Sequence, residues 1–226
     1  MKEATEMKKS YIFTGLMIIV ITMAVILVKV VIPALAAANK EEIANKSEFG
    51  ETYVGDVVTD AMKAARNADV ALVNGGALGY KDMPDNLTDI TVGALVPFDD
   101  DLIVSVNLKG DALKRILENS YSLLPRRSSN FLQVSGVEFK CDLNQPSGAR
   151  VSGITVIGKA LMPEKEYIVA VTEFLSSGGG GMKEFREGRL VSGEKAPFGE
   201  VLIKHAKYNR NKIDSNDGRI TIIPVK

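Results

Sequence analysis

Apolar residues are spread unevenly along the chain, and their spacing changes several times. Residues 11–28 form an uncharged run rich in Ile, Val, Leu and Met, with no polar stripe at helical spacing. At about 1.5 Å of rise per residue, such a run nearly crosses a bilayer core. Lys8 and Lys9 precede it and Lys29 follows it, so charge placement says little about orientation. After Pro33 comes Ala34-Leu35-Ala36-Ala37-Ala38, a small-residue stretch suited to cleavage. Two readings stay open for residues 1–38. The apolar core of a cleaved secretory signal is shorter, roughly 7–15 residues, so an uncleaved signal anchor is favoured over a signal peptide. A buried helix of a soluble fold is the weaker alternative, because the run lacks a polar face. Either favoured reading places the remainder outside the cytoplasm, membrane-anchored, or secreted if the signal is cleaved.

Residues 39–50 are polar and read as a tether, with the folded domain running over 51–226. The spacing of Val54, Val57, Val58, Ala61, Met62 and Ala65 predicts a helix over 51–67. Residues 68–73 form a short apolar run, a buried strand that ends in the turn signal Asn74-Gly75-Gly76. A polar loop with Pro84 follows over 79–89. Residues 90–95 receive no element; Pro97-Phe98 and the acidic triplet Asp99-Asp100-Asp101 come next. A strand is expected over 102–108 and a helix over 110–121, with Asp111 in its first turn. A basic, serine-containing loop spans 125–130. Alternation over 132–141 predicts a half-buried strand, joined through Pro146-Ser147-Gly148 to another over 151–157. Residues 167–174 read as a β-branched strand running into Ser176-Ser177 and four glycines, Gly178 to Gly181. A helix over 198–208 and a closing strand over 219–225 complete the chain. Strands and helices mix without strict βαβ alternation, so the fold class is α+β, with mixed sheets, flanking helices and one N-terminal transmembrane or signal helix ahead of them.

Composition narrows the function. The 226 residues are 46% hydrophobic and 25% charged, ordinary for a globular protein. Lys plus Arg and Asp plus Glu both total 28, which argues against a nucleic-acid partner. The single cysteine, Cys141, leaves no intrachain disulfide. The single histidine, His205, lies in a predicted helix, and hydrolytic zinc and di-metal centres lean on imidazole.

Several segments, taken in order, resemble one family. They are Gly55-Asp56-Val57-Val58-Thr59-Asp60-Ala61-Met62, Ala68-Asp69-Val70-Ala71-Leu72-Val73-Asn74-Gly75-Gly76, Asp89-Ile90-Thr91 and Val96-Pro97-Phe98. Further along come Leu108-Lys109-Gly110-Asp111-Ala112-Leu113-Lys114, Phe131-Leu132-Gln133-Val134-Ser135-Gly136 and Phe174-Leu175-Ser176-Ser177-Gly178-Gly179. No one of these is decisive; together, in register over about 48–208, the chain resembles the C-terminal, substrate-binding domain of the 5′-nucleotidases. The resemblance implies a role in nucleotide catabolism and a partner metallophosphoesterase domain that holds the divalent metals. That domain is missing here, so no catalytic residues, metal ligands or cofactor are expected in this chain. A separate metallophosphoesterase chain would complete a hydrolase, and whether this chain is part of an enzyme stays open.

The resemblance matches Phe98 and Phe174 to the two aromatics that sandwich the base, and stacking on such rings contributes roughly 1–3 kcal/mol per base. It matches Asn74 to a ligand-binding asparagine, whose amide both donates and accepts. Gly75 and Gly76 let backbone approach a ligand, or simply turn. Asp100 could accept hydrogen bonds from ribose hydroxyls, or stand in a solvated acidic turn. The departures matter more. Two family arginines are replaced by Gly50 and Gly79, a family aspartate by Gly180, and a Gly-Asn pair by Asp99-Asp100. Arginine forks suit phosphate. Their loss, with carboxylates gained, predicts poor affinity for nucleoside monophosphates unless Lys81, Arg126, Arg127 or another chain supplies positive charge. The alternative reading is a membrane-tethered nucleoside-binding module with no hydrolytic role.

Overall fold

The computed structural model describes residues 46–79, 88–193, 195–209 and 218–226, with isolated positions at 17, 22, 23 and 29. The apolar run at 11–28 therefore lies almost wholly outside the described residues, and the loop at 79–89 mostly so. Among the described residues no helix is long and apolar enough to cross a membrane. The chain divides into two units, Met1–Glu42 and Ile43–Lys226, and the second holds the folded domain.

Helix α1 (Tyr53–Arg66) buries Val54, Val57, Val58, Ala61 and Met62, the face its periodicity predicts. The Thr52 hydroxyl caps its start by accepting from the Gly55 N–H at 3.1 Å, and Asn67 ends it in the left-handed region at φ 47°. Strand β1 (Val70–Asn74) is buried along its whole length. Helix α2 (Asp89–Leu95) starts at a reciprocal cap between Thr88 and Thr91, the signal that marks 90–95 as helix. Strand β2 (Leu102–Lys109) leads straight into α3 (Gly110–Tyr121). Next come β3 (Leu132–Ser135), β4 (Val137–Asp142), β5 (Val151–Val156), β6 (Lys159–Ala160) and β7 (Glu166–Thr172). Then follow the single helical turn α4 (Glu173–Ser176), β8 (Arg189–Leu190), β9 (Ala196–Pro197), α5 (Phe198–Asn209) and β10 (Ile220–Ile223).

Two mixed sheets result, as the α+β expectation requires. The first runs β3-β1-β7-β2-β8, with β9 also on β2; β1 and β7 are parallel and the other pairs antiparallel. The second runs β10-β4-β5-β6, with β10 parallel to β4. Strand β1 alternates its side chains between two cores. Val70 and Leu72 join a core with α3 and the second sheet, while Ala71 and Val73 join one with α1, α2 and α5.

Three expectations are corrected. Residues 132–141 are two strands in two sheets, because Gly136 at φ 75° redirects the chain between them; a β-carbon there would lie 2.1 Å from the Asp69 carbonyl oxygen. Alternation alone cannot register a change of pairing partner. The strand at 167–174 stops at Thr172, whose hydroxyl accepts from the Leu175 N–H and starts a helical turn instead. The end of the stretch read as a tether is part of the fold: Ser47 and Glu48 are buried, and the Gln133 amide donates to the carbonyls of Ser47 (3.0 Å) and Gly50 (2.7 Å).

The β5–β6 turn carries one local conflict. Ile157 sits at φ 48° with its side chain 61% exposed, followed by Gly158 at φ 69°. Two positive φ values in a tight hairpin favour Asn or Gly first, and a β-branched residue there is strained by about 1–2 kcal/mol. Ile157→Asn is expected to raise unfolding free energy by about 1 kcal/mol in urea titration, since no buried contact is lost.

Candidate functional site

The C-terminal ends of β1 and β7 and the turn after α2 meet around a cleft of about 700 Å³. Each supplies a side chain for a local reason. Asn74 is the last residue of β1, and its Nδ2 donates to the Ser129 carbonyl at 3.2 Å. The Gly75 and Gly76 N–H groups donate to the carbonyls of Phe131 (2.7 Å) and Ser129 (3.0 Å), so this turn is laced to the 128–131 loop. After α2, Val96 is buried, and the turn that follows puts Phe98 into solvent at 58% exposure. The carbonyls of Asp99 and Asp101 accept the Gly199 and Phe198 N–H groups, both at 2.8 Å, and fix that turn to the start of α5. In α4, Leu175 points into the core, which turns its neighbour Phe174 outward at 50% exposure. Neither Phe98 nor Phe174 stacks on another aromatic ring among the described residues, whereas Tyr121 packs edge-on against Phe131 and Phe139.

The predicted residues Phe98, Phe174, Asn74, Gly76 and Asp100 all line this cleft. Gly75 does not. It lies beneath the turn, where a β-carbon would stand 2.0 Å from the Ser47 carbonyl oxygen, so its role is close packing of backbone. Phe174 does not end a strand, as the reading of 167–174 expects, but occupies a helical turn, and Phe98 follows helix α2. Sequence reasoning missed Phe198, fully buried at the cleft, together with Thr172, Glu173, Ser129, Ser177, Ala77 and Asp101. One signal was available for Phe198: Ala196-Pro197-Phe198 repeats the pattern of Val96-Pro97-Phe98.

Phe174 owes its placement to the glycine run. A β-carbon on Gly179 would lie 2.6 Å from the Phe174 ring and from its carbonyl oxygen. The ring therefore rests directly on glycine backbone. Gly179→Ala is expected to displace the Phe174 ring and its backbone carbonyl together, and so to lower the midpoint of thermal unfolding.

Carboxylates dominate the cleft's charge. Asp100, Asp101 and Glu173 line it, and no Lys, Arg or His does so among the described residues. Burial raises the Asp101 carboxyl above its usual range, opposed by hydrogen bonds from the Leu102 N–H, the Thr172 hydroxyl and the Phe174 backbone. Asp101 thus ties the Phe98 turn to the start of α4. Of the expected cation sources, Arg127 is ion-paired with the buried Glu48, and Lys81 lies outside the described residues. Lys195 pairs with Glu173 at 2.6 Å. Two of the departures are built into the backbone. A β-carbon on Gly79 would meet the Ala94 carbonyl oxygen at 2.3 Å, and Gly180 combines φ 65° with a contact of 2.5 Å to Asn130 Oδ1. Gly50 has open space, its nearest neighbour lying at 3.7 Å. A β-carbon therefore has room at 50 but not at 79 without a backbone shift.

Among the described residues no group of three or more His, Cys, Asp and Glu side chains converges on a point that would hold a metal. His205 sits on α5, where burial lowers its imidazole pKa against the opposing pull of Asp60. The described donor set does not fit the metal pair of a phosphoesterase.

Comparison with known proteins agrees with this architecture. The family model described as "5'-nucleotidase, C-terminal domain" matches residues 31–187. The trifunctional nucleotide phosphoesterase protein YfkN of Bacillus subtilis is 31% identical over 193 residues, 78% of this chain and 13% of that protein. The 5'-nucleotidase of Bos taurus is 26% identical over 168 residues, 65% of this chain and 29% of that one. The crystal structure of a 5'-nucleotidase precursor from Thermus thermophilus superposes with a TM-score of 0.66 at 26% identity, over 81% of this chain and 38% of that one. The chain therefore spans well under half the length of each of these relatives.

Proposed function

Because the chain belongs to the 5′-nucleotidase C-terminal domain family, we propose that it is the nucleoside- and nucleotide-binding part of a 5′-nucleotidase-like hydrolase, serving nucleotide catabolism. The observation that carries this reading is the pair of half-exposed rings, Phe98 and Phe174, on one cleft of about 700 Å³ with Asn74 beside them. A flat base between the rings would bury apolar faces that otherwise stand in water. Asn74 keeps its amide oxygen for the ligand while its Nδ2 is held by Ser129. In this reading the chain holds substrate and is non-catalytic alone. The divalent metals and the hydrolytic step belong to a separate metallophosphoesterase domain. The apolar run at 11–28 would anchor the domain to a membrane, facing away from the cytoplasm, or would direct secretion if cleaved.

One observation favours the second reading, a tethered nucleoside-binding module with no hydrolytic role. The described cleft is lined by carboxylates and lacks a lining cation. Each unit of charge on a phosphate about 4 Å from a carboxylate is repelled by roughly 1–4 kcal/mol at effective dielectrics of 80 to 20. Adenosine is therefore expected to bind the full chain more tightly than its 5′-monophosphate, by that margin, in titration calorimetry. Tighter monophosphate binding would return the first reading to the front and require a cation from elsewhere. Phosphate release on adding a co-expressed metallophosphoesterase domain tests the hydrolytic role directly. Absence of binding by any nucleoside would remove both readings.

A further inference from the structure

The charge around the two rings says more than that phosphate is disfavoured. A smaller pocket of about 230 Å³ adjoins the cleft and shares Asp100 with it. Its polar rim is Asp99, Asp100 and Glu200, on walls that include Val92, Pro197 and Ile203. Together with Asp101 and Glu173 in the cleft, five carboxylates surround the Phe98 turn. Among the described residues, Lys195 and Arg186 contact lining residues, and both are engaged. Lys195 is paired with Glu173, and Arg186 donates through Nε to the Ser177 carbonyl at 2.7 Å. Asp100 is exposed and makes no hydrogen bond or ion pair among the described residues.

We propose that the cleft selects a flat heterocycle carrying a positive charge, a cationic nucleoside in preference to its neutral counterpart. The inference rests on the nucleoside reading above and adds to it the charge of the ring. The faces of Phe98 and Phe174 present the negative side of the aromatic quadrupole, which attracts a cation laid over them. The carboxylates act in the same direction at longer range and are weakened by salt. A neutral base gains only the stacking; a cationic ring gains stacking and both electrostatic contributions.

The test uses two isomers of one size. 1-Methyladenosine carries a positive ring at neutral pH, and N6-methyladenosine is neutral. Titrated against the full chain at low salt, 1-methyladenosine is expected to bind about tenfold tighter, with the preference shrinking at high salt. Asp100→Asn should reduce the preference several-fold, and Lys195→Gln, which removes a competing cation, should increase it. Asp100 is exposed, so its variant is expected to fold, and its effect is read in the ratio of the two isomers' affinities rather than in either affinity alone. Equal binding of the isomers, or a preference indifferent to salt and to both substitutions, overturns the inference and leaves the nucleoside reading standing. If adenosine and both isomers all fail to bind, the nucleoside reading falls and this inference falls with it.

Discussion

Phe98→Ala and Phe174→Ala are each expected to weaken adenosine binding by about 1–3 kcal/mol, roughly 5- to 150-fold. Thermal unfolding should hardly move. The rings are 58% and 50% exposed, so truncation opens no cavity, and exposed substitutions usually stay within about 0.5 kcal/mol of wild type. Phe198→Ala provides the contrast. That ring also lines the cleft but is fully buried in the core with α1 and α2, so its loss should cost about 3–5 kcal/mol of stability. The double variant at 98 and 174 separates two geometries. If one base touches both rings, the two losses will not add, because removing either ring lets the ligand shift. Additive losses would mean that the rings contact different parts of the ligand. Unchanged affinity in both single variants would show that the exposed rings serve something other than a base, and the proposed function would fail.

The sequence made some of this legible and hid the rest for identifiable reasons. Helices α1 and α3 announce themselves because each has one buried face, and periodicity reports a single buried face well. Helix α2 escaped because seven residues give barely two turns of pattern; its cap at Thr88 was the better signal. The segment Phe131-Leu132-Gln133-Val134-Ser135-Gly136 is informative at every position once its contacts are known. Phe131 packs edge-on against Tyr121, Gln133 holds the 47–52 segment, Ser135 donates to Asp60 at 2.5 Å, and Gly136 turns the chain between sheets. None of those partners is near in sequence, so no local pattern names them. The same holds for the cleft. Asn74, Phe98, Asp100 and Phe174 stood out by residue type and by comparison with the family's motif positions, and they do share one cavity. Asp101 and Glu173 were missed as lining residues because only the antiparallel register of β2 on β7, with Ile103 opposite Thr172, brings their strand ends together.

Arg219→Met is expected to cost about 3–5 kcal/mol of stability, a loss as large as that of the buried Phe198 ring. Arg219 precedes β10, more than 150 residues from its partners on α1, and is only 9% exposed. Its Nη2 donates to Asp60 at 3.0 Å, and its Nη1 donates to the Val134 carbonyl at 2.9 Å and lies 3.7 Å from Asp56 Oδ1. Asp56 is itself 2% exposed, so removing the guanidinium takes an opposite charge 3.7 Å away from a buried carboxylate. The cost of keeping that carboxylate buried, more than the lost attraction, sets the size of the effect. Asp56→Leu added to Arg219→Met should recover much of the loss, because the pair is then replaced by apolar volume. The Glu51 carboxylate still accepts from the N–H groups of Gly218, Arg219 and Ile220 in these variants, so β10 keeps its backbone anchor. Urea unfolding measures both variants. A loss under about 1 kcal/mol for Arg219→Met would mean that water reaches Asp56 and that the buried pair contributes little. Below the unfolding transition the single variant should bind adenosine like wild type, since none of these residues lines the cleft. Stability and binding would then be separable by residue: α1 and β10 govern the first, and the two exposed rings govern the second.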